Sequence, residues 1–206
     1  MGQEGYDNLN SMHFDVLKEI GSIGSGNAAT ALSSILNKPI KMKVPKVNLL
    51  EFKHVADVIG GAENIVIGLL VKLSNDVEGI MMFIMEQQSA FKLVNSLMHR
   101  NVQSVFEMDE MDISAVQEIG NIMTSAYLSA LATLTGLKIG KSVPYISIDM
   151  AGAILSVPAI EFGKVGDRVL FIESLFGGDA DSVSGYFLLV PEVRSFEKIM
   201  HSLGVM

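Results

Sequence analysis

The sequence contains the same polar helix pattern twice, at a constant offset of 99 residues (for example, 118 − 19 = 99). The equivalent positions are Asp15 and Ser114, Glu19 and Glu118, Ser22 and Asn121, and Pro45 and Pro144. The letters around the two glutamates read DVLKEIGSIGSG in the first copy and SAVQEIGNIMTS in the second. Such a duplication requires two equivalent helices in the fold. The exchange of an amide for a hydroxyl at one position predicts two sites of unequal quality.

A second segment of the duplication follows at a slightly different offset. Residues 77–97 align with residues 183–203, which places Gly79 with Gly185 and Glu86 with Glu192 (185 − 79 = 106 and 192 − 86 = 106). We therefore predict a single domain over residues 1–206, made of two repeats at about 13–98 and 111–204. The acidic and polar segment 99–110 is predicted to connect them.

Hydrophobic periodicity gives the expected elements. Helices are predicted at 13–36, 88–98, 111–135 and 193–203, and strands at 40–50, 63–73, 77–85, 139–150, 153–158, 168–175 and 183–190. Several of these strands follow one another without an intervening helix, which favours an α+β fold with a mostly antiparallel sheet. We expect the two repeats to join their sheets around a pseudo-two-fold axis, with the two long helices carrying the equivalent motifs.

Charge and composition exclude several classes of protein. The formal net charge is −8, which argues against non-specific binding of nucleic acid, because that binding depends on Lys and Arg. The chain has no cysteine, so it has no disulfides or Cys-ligated zinc, and a reducing cytoplasm is the expected compartment. The N-terminal segment has no signal-peptide pattern, and the apolar runs are about strand length. We therefore expect no membrane insertion.

The motif residues allow only limited chemistry. Glu118 and Asn121, like Glu19 and Ser22, are three residues apart and share one helix face. A carboxylate and an amide do not form a nucleophile–base pair, and they are too few for a complete metal site. An amide can orient a water molecule, as in some phosphoryl-transfer sites, and a carboxylate can bind a cation on a partner. Ordinary solvated helix positions remain the alternative, although Asn is a poor residue within a helix.

The nearby glycines Gly21, Gly24 and Gly26 resemble a phosphate-binding loop only weakly. They lack the Gly-Lys-Ser/Thr ending, and no strand precedes them. Close packing of helices is the preferred interpretation.

With these residues in view, the chain resembles the CheC family of chemotaxis phosphatases, which also includes CheX and part of the flagellar switch protein FliY. The family pattern is Asp or Ser, three residues, Glu, two residues, Asn, about 22 residues, and Pro. The second copy fits it fully with Ser114, Glu118, Asn121 and Pro144. The first copy fits with Asp15, Glu19 and Pro45, but has Ser22 where Asn is expected. The layout and length are most similar to CheC.

The resemblance implies that the protein dephosphorylates the response regulator CheY. Glu118 would bind a lysine of the regulator, and Asn121 would orient water toward the aspartyl phosphate. The Mg²⁺ ion would be held by the regulator, and this chain would have no metal of its own. The Glu19 and Ser22 site would be degenerate. Proteins of the CheC type also commonly bind the receptor deamidase CheD, and Asp149 is the position that best fits that contact.

Two other interpretations remain open. The protein could be a non-catalytic docking protein for CheY or CheD with vestigial sites, and the Asn121 amide is the feature that such an adaptor would not need. A structural subunit of the flagellar switch is ranked last, because the segments expected for the motor are not found in the 206 residues.

Overall fold

Two long helices carry the duplicated motif, as predicted. In the computed structural model, which describes residues 11–37, 39–42, 46–162, 168–177 and 183–204, helices α1 (Ser11–Leu36) and α4 (Glu110–Thr135) have 26 residues each. Their first residues are 99 positions apart (110 − 11 = 99). Helix α4 begins with a capping box formed by Asp109 and Asp112 and ends at Gly136, which adopts the left-handed conformation with φ of 70°.

Within the described residues, eight strands form one antiparallel sheet. They are β1 (Lys41–Met42), β2 (Lys46–Glu51), β3 (Ile65–Asn75), β4 (Gly79–Glu86), β5 (Ile139–Lys141), β6 (Tyr145–Met150), β7 (Arg168–Gly177) and β8 (Val183–Pro191). The central order is β7-β8-β4-β3. Strands β1 and β2 pair with β7, whereas β5 and β6 pair with β3. The short strands of each repeat therefore pair with a long strand of the other repeat.

The remaining helices lie on the two faces of this sheet. They are α2 (Val55–Val58), α3 (Gln87–Met98), α5 (Ala151–Phe162) and α6 (Val193–Ser202), and single 3₁₀ turns occupy Phe52–His54 and Val105–Glu107. Helices α1, α3, α4 and α6 share one hydrophobic cluster with the sheet, and α2 and α5 contribute to a second. Along β4, Met81 and Phe83 belong to the first cluster, and Ile80 and Met82 to the second. The strand is therefore buried on both faces, which explains its continuous apolar run.

The predicted fold class is confirmed: the protein is an internally repeated α+β fold with antiparallel pairing. The strand predicted at 153–158 is wrong, because these residues lie in α5. The buried positions Ala151, Ile154, Leu155 and Pro158 follow a helical spacing. The segment is short and almost wholly apolar, so periodicity alone could not distinguish a strand from a buried helix.

One predicted strand is divided in the structure, and another is described only in part, because residues 43–45 lie outside the described residues. The segment 139–150 forms β5 and β6, separated by residues 142–144, and the segment 40–50 contains β1 and the start of β2. The predicted connector 99–110 contains one 3₁₀ turn and Arg100, whose guanidinium bonds to Asp109 and Asp112 at the start of α4. The connector is therefore tied to the second repeat. The repeat boundaries themselves stay a prediction.

Candidate functional site

The second motif lies along the exposed edge of α4. Val116 and Ile119 are buried against the sheet, with exposed fractions of 1% and 3%. Glu118 is exposed, and Asn121 is half-buried one turn further along. Ser114 is exposed one turn before Glu118. Helical periodicity thus buries the apolar face and presents the carboxylate and the amide on one side of the helix surface.

Lys141, which is not part of the motif, contacts Asn121 from the end of β5. Its ammonium group donates a hydrogen bond to Oδ1 of Asn121. Partial burial lowers the pKa of Lys141, and the nearby carboxylate of Glu118 acts in the opposite direction. The second site is therefore a cluster of one carboxylate, one amide and one ammonium group. The sequence contains one sign of the role of Lys141. The equivalent position of the first repeat, which also lacks the motif asparagine, is Met42 (141 − 99 = 42).

The segment after β5 brings Pro144 next to the same helix. The side-chain amide of Gln117 donates to the carbonyl oxygen of Pro144 at 3.2 Å. Gln117 directly precedes Glu118, so Pro144 lies beside the turn of α4 that contains Glu118. The structure therefore places Pro144 against Gln117, on the helix that carries Glu118 and Asn121, although Pro144 lies 26 positions after Glu118 (144 − 118 = 26).

The first motif presents a different set of groups. Glu19 and Ser22 are both exposed on α1, on one face as predicted. Asp15 is exposed and pairs with Lys18 at 3.7 Å, a surface ion pair that contributes little to stability. Pro45 lies outside the described residues. At the described positions equivalent to Glu118, Asn121 and Lys141, the first repeat thus has Glu19, Ser22 and Met42.

The two motif helices pack directly against each other at Gly24. A Cβ atom at this position would lie 2.7 Å from Cδ1 and 3.1 Å from Cα of Tyr127, so only glycine allows this approach. The Tyr127 hydroxyl is hydrogen-bonded to Ser25 on α1 at 2.7 Å and to Ser174 on β7 at 2.6 Å. Close helix packing therefore explains Gly24. It does not explain Gly26, where a Cβ would meet nothing within 4 Å.

Asp149 lies apart from the Glu118 and Asn121 pair. It is exposed near the end of β6, and its Oδ1 accepts the N–H of Met150 at 2.7 Å. Asp149 lies five positions after Pro144 (149 − 144 = 5), which corresponds to about 16 Å along an extended strand. It pairs with Val66, which belongs to the hydrophobic cluster under α2 and α5. Asp149 therefore faces the side of the sheet opposite the long helices.

Two further properties concern only the part of the chain that the structure describes. It contains no group of three or more His, Asp or Glu side chains placed to hold a metal ion. Among its helices, none combines the length and the apolar character that crossing a membrane requires.

The fold and the site define a repeated α+β protein with one copy of the motif on each of two equivalent helices. A model of the CheC-like family matches residues 12–49 and 111–148, again 99 positions apart (111 − 12 = 99). The chain is 34% identical over 204 residues to the CheY-P phosphatase CheC of Bacillus subtilis (strain 168), with 97% of both chains covered. The chain therefore belongs to the CheC family.

Two other comparisons agree with this membership. The chain is 26% identical over 143 residues to the flagellar motor switch phosphatase FliY of Bacillus subtilis (strain 168), which covers 69% of this chain and 37% of that protein. The crystal structure of Thermotoga maritima FliY superposes with a TM-score of 0.74 at 24% identity, covering 96% of this chain and 98% of that one. That structure shows the same fold.

Proposed function

We propose that this protein is a phosphatase that hydrolyses the aspartyl phosphate of the chemotaxis response regulator CheY. The similarity to the Bacillus subtilis CheY-P phosphatase supports the substrate. The observation that carries the mechanism is the pairing of an exposed carboxylate, Glu118, with the half-buried amide of Asn121 on one side of α4. In this proposal, phosphorylated CheY is the partner, and the reaction takes place in the cytoplasm.

The surface position of the pair favours a protein substrate. The three-residue separation places the two side chains about 4.5 Å apart along the helix axis, close enough to engage one partner surface. The apolar cavity between α1, α4, α6 and the sheet is lined by residues such as Leu17, Leu131 and Phe196, and by no motif residue. A site on a convex helix binds a small phosphoester poorly, because it encloses none of it.

Each motif residue has one role in the proposed reaction. The Glu118 carboxylate binds a lysine of the regulator and so fixes the docking register. The Asn121 amide holds the attacking water by hydrogen bonds, in line with the aspartyl phosphate. The water attacks phosphorus, the bond from phosphorus to the aspartyl oxygen breaks, and the regulator recovers its carboxylate. The protein supplies positioning and no covalent intermediate.

The donor set of this chain does not suit Mg²⁺. The site has one carboxylate and one amide, and the amide oxygen already accepts from the Lys141 ammonium group. Mg²⁺ needs several oxygen ligands in an octahedral arrangement, and a neighbouring cation opposes its binding. In this proposal the Mg²⁺ ion therefore belongs to the regulator, as the family resemblance implies.

The first site and the deamidase contact complete the proposal. We assign Glu19 and Ser22 to a degenerate site that binds the regulator but hydrolyses its aspartyl phosphate slowly, because a hydroxyl cannot replace the reach of an amide.

We also propose an adaptor role toward CheD through the exposed surface of β6 around Asp149. Tyr145 on the same strand is 70% exposed, and an aromatic side chain so exposed supports a protein contact there.

Phosphate release from phosphorylated CheY tests the proposal directly. Catalytic amounts of the protein should accelerate release in the presence of Mg²⁺, and Asn121→Ala should remove most of this acceleration. Ser22→Ala is the matched control at the equivalent helix position. If the unmodified protein binds phosphorylated CheY but leaves the release rate unchanged, it is a non-catalytic docking protein. If it turns over a small aryl phosphate rapidly, the proposed site is wrong.

A further inference from the structure

Lys141 is the side chain that holds the Asn121 amide. We propose that Lys141 is a positioning residue for the second site, which fixes the orientation of the Asn121 amide before the regulator binds. This inference rests on the proposed function of Asn121. Lys141 acts through Asn121, because its ammonium group bonds to Oδ1 of that residue.

The chemistry of the two groups sets the amide in one orientation. An asparagine side chain can present either its oxygen or its NH₂ group to a neighbour after a rotation about its last bond. A lysine ammonium group has three donors and no acceptor, so it can bond only to the oxygen. Lys141 therefore directs Oδ1 toward β5. The two Nδ2 hydrogens and the second lone pair of Oδ1 are left for the incoming water and phosphate.

The strand that carries Lys141 is anchored at both ends. On one side, Lys138 N–H donates to Asp76 Oδ2 at 2.8 Å. On the other side, Ser142 N–H donates to the Lys72 carbonyl at 2.9 Å, and its hydroxyl accepts the Lys72 N–H at 3.0 Å. A short strand fixed in this way holds the lysine at a defined place, which a positioning residue requires.

The two repeats differ at both members of this contact together. Where the second repeat has Asn121 and Lys141, the first has Ser22 and Met42 (121 − 99 = 22 and 141 − 99 = 42). A methionine side chain cannot donate a hydrogen bond. Both equivalent positions therefore differ together, as expected if Asn121 and Lys141 act as one unit.

Lys141→Met tests the role, because methionine is the residue that the first repeat has at this position. Phosphate release from phosphorylated CheY should show a kcat about ten- to a hundred-fold lower, the range of a lost hydrogen bond to a charged group, with KM little changed. Lys141→Arg should restore part of kcat. Lys138→Met is the matched control, since Lys138 is an exposed lysine of the same segment.

Two more measurements separate positioning from a structural role. Burial lowers the pKa of Lys141. As the pH rises, kcat of the unmodified protein should therefore decrease at a lower pH than the pKa of an ordinary lysine. The pH profile of Lys141→Met should lack this decrease. In the free protein, the side-chain NH₂ signals of Asn121 in an NMR spectrum, assigned with Asn121→Ser, should shift and broaden in Lys141→Met. They should remain unchanged in Lys138→Met.

The outcomes are distinguishable. If the unmodified protein does not accelerate phosphate release while the Asn121 signals respond to Lys141→Met, the proposed function fails and the positioning role stands. If the Asn121 signals do not respond, or if kcat of Lys141→Met equals that of an active parent, the positioning role is overturned. A faster Lys141→Met variant would also overturn it, because Lys141 would then block the site.

Discussion

The hydroxyl of Tyr127 joins both motif helices to the sheet, and its removal should weaken the fold without altering the site. In Tyr127→Phe, two buried hydrogen bonds of 2.7 and 2.6 Å are lost. Ser25 keeps its bond to the Gly21 carbonyl at 2.8 Å, but the fully buried Ser174 loses its bond to α4. The ring keeps its contact with Phe187, with centroids 4.2 Å apart.

The expected loss follows from these contacts. Two net hydrogen bonds contribute about 1 kcal/mol each, and an unsatisfied buried hydroxyl adds about 1–2 kcal/mol. We therefore expect Tyr127→Phe to lower the free energy of unfolding by about 3–4 kcal/mol. For a chain of 206 residues, this corresponds to a decrease in Tm of about 5–15 °C.

Urea unfolding followed by circular dichroism gives the measurement. The midpoint should decrease while the slope m stays constant, since the surface exposed on unfolding is the same. Tyr145→Phe is the control, because the Tyr145 side chain is 70% exposed and should change stability by less than about 0.5 kcal/mol. Equal midpoints for Tyr127→Phe and Tyr145→Phe would refute the reasoning. The reasoning would also be refuted if Tyr127→Phe lost phosphate-release activity at temperatures well below its Tm.

The hydroxyl of Tyr127 also predicts how the free energy of unfolding depends on pH. Burial raises the pKa of Tyr127 above its usual value, because the charged phenolate is poorly solvated there. Below about pH 10 the tyrosine is neutral in both the folded and the unfolded protein, and its full contribution is present. As the pH rises further, the unfolded chain ionises first and this contribution is lost. The stability difference between the parent and Tyr127→Phe should therefore narrow above about pH 10.

Three predictions concern the motif itself. Asn121→Ala should lower the rate of phosphate release by about 10²–10³-fold, whereas Ser22→Ala should change it little, and the reverse order would contradict the assignment of the sites. Glu118→Lys should abolish productive engagement with the regulator and Glu19→Lys should only weaken total binding, because reversal places like charges together; titration with CheY carrying a phosphate mimic measures both. Ser22→Asn combined with Met42→Lys should raise phosphate release more than Ser22→Asn alone, and equal rates would show that the lysine is dispensable.

Internal repetition made much of the fold predictable. The offset of 99 residues reproduces the bounds of α1 and α4, and it also relates β2 at 46–51 to β6 at 145–150 (145 − 46 = 99). Local patterns could not show that β2 pairs with β7 or that β6 pairs with β3, because these contacts join distant parts of the chain. Helix α5 was missed because its apolar residues cover more than one face.

The sequence predicted which site residues share a face of α4, but it did not predict which residues from other elements contact them. The spacing of Glu118 and Asn121 fixes their common face, since both lie on one helix. The contact from Lys141 depends on where β5 ends relative to α4, and that follows from the pairing of β5 with β3. Lysine is common on protein surfaces, so nothing in its local sequence distinguishes Lys141. Only the comparison with Met42 of the first repeat marks it.

The packing of the two long helices explains how the repeats could diverge in chemistry while they share a fold. The buried faces of α1 and α4 meet at Gly24 and Tyr127, where a Cβ added at Gly24 would lie 2.7 Å from Cδ1 of the Tyr127 ring. Substitutions on these faces are therefore strongly constrained. Ser22 and Asn121 lie outside this close contact, at an exposed and a half-buried position, so the exchange of an amide for a hydroxyl does not disturb the packing of α1 against α4. A difference at these two positions changes the polar groups that each helix presents, and leaves the helix packing that supports both intact.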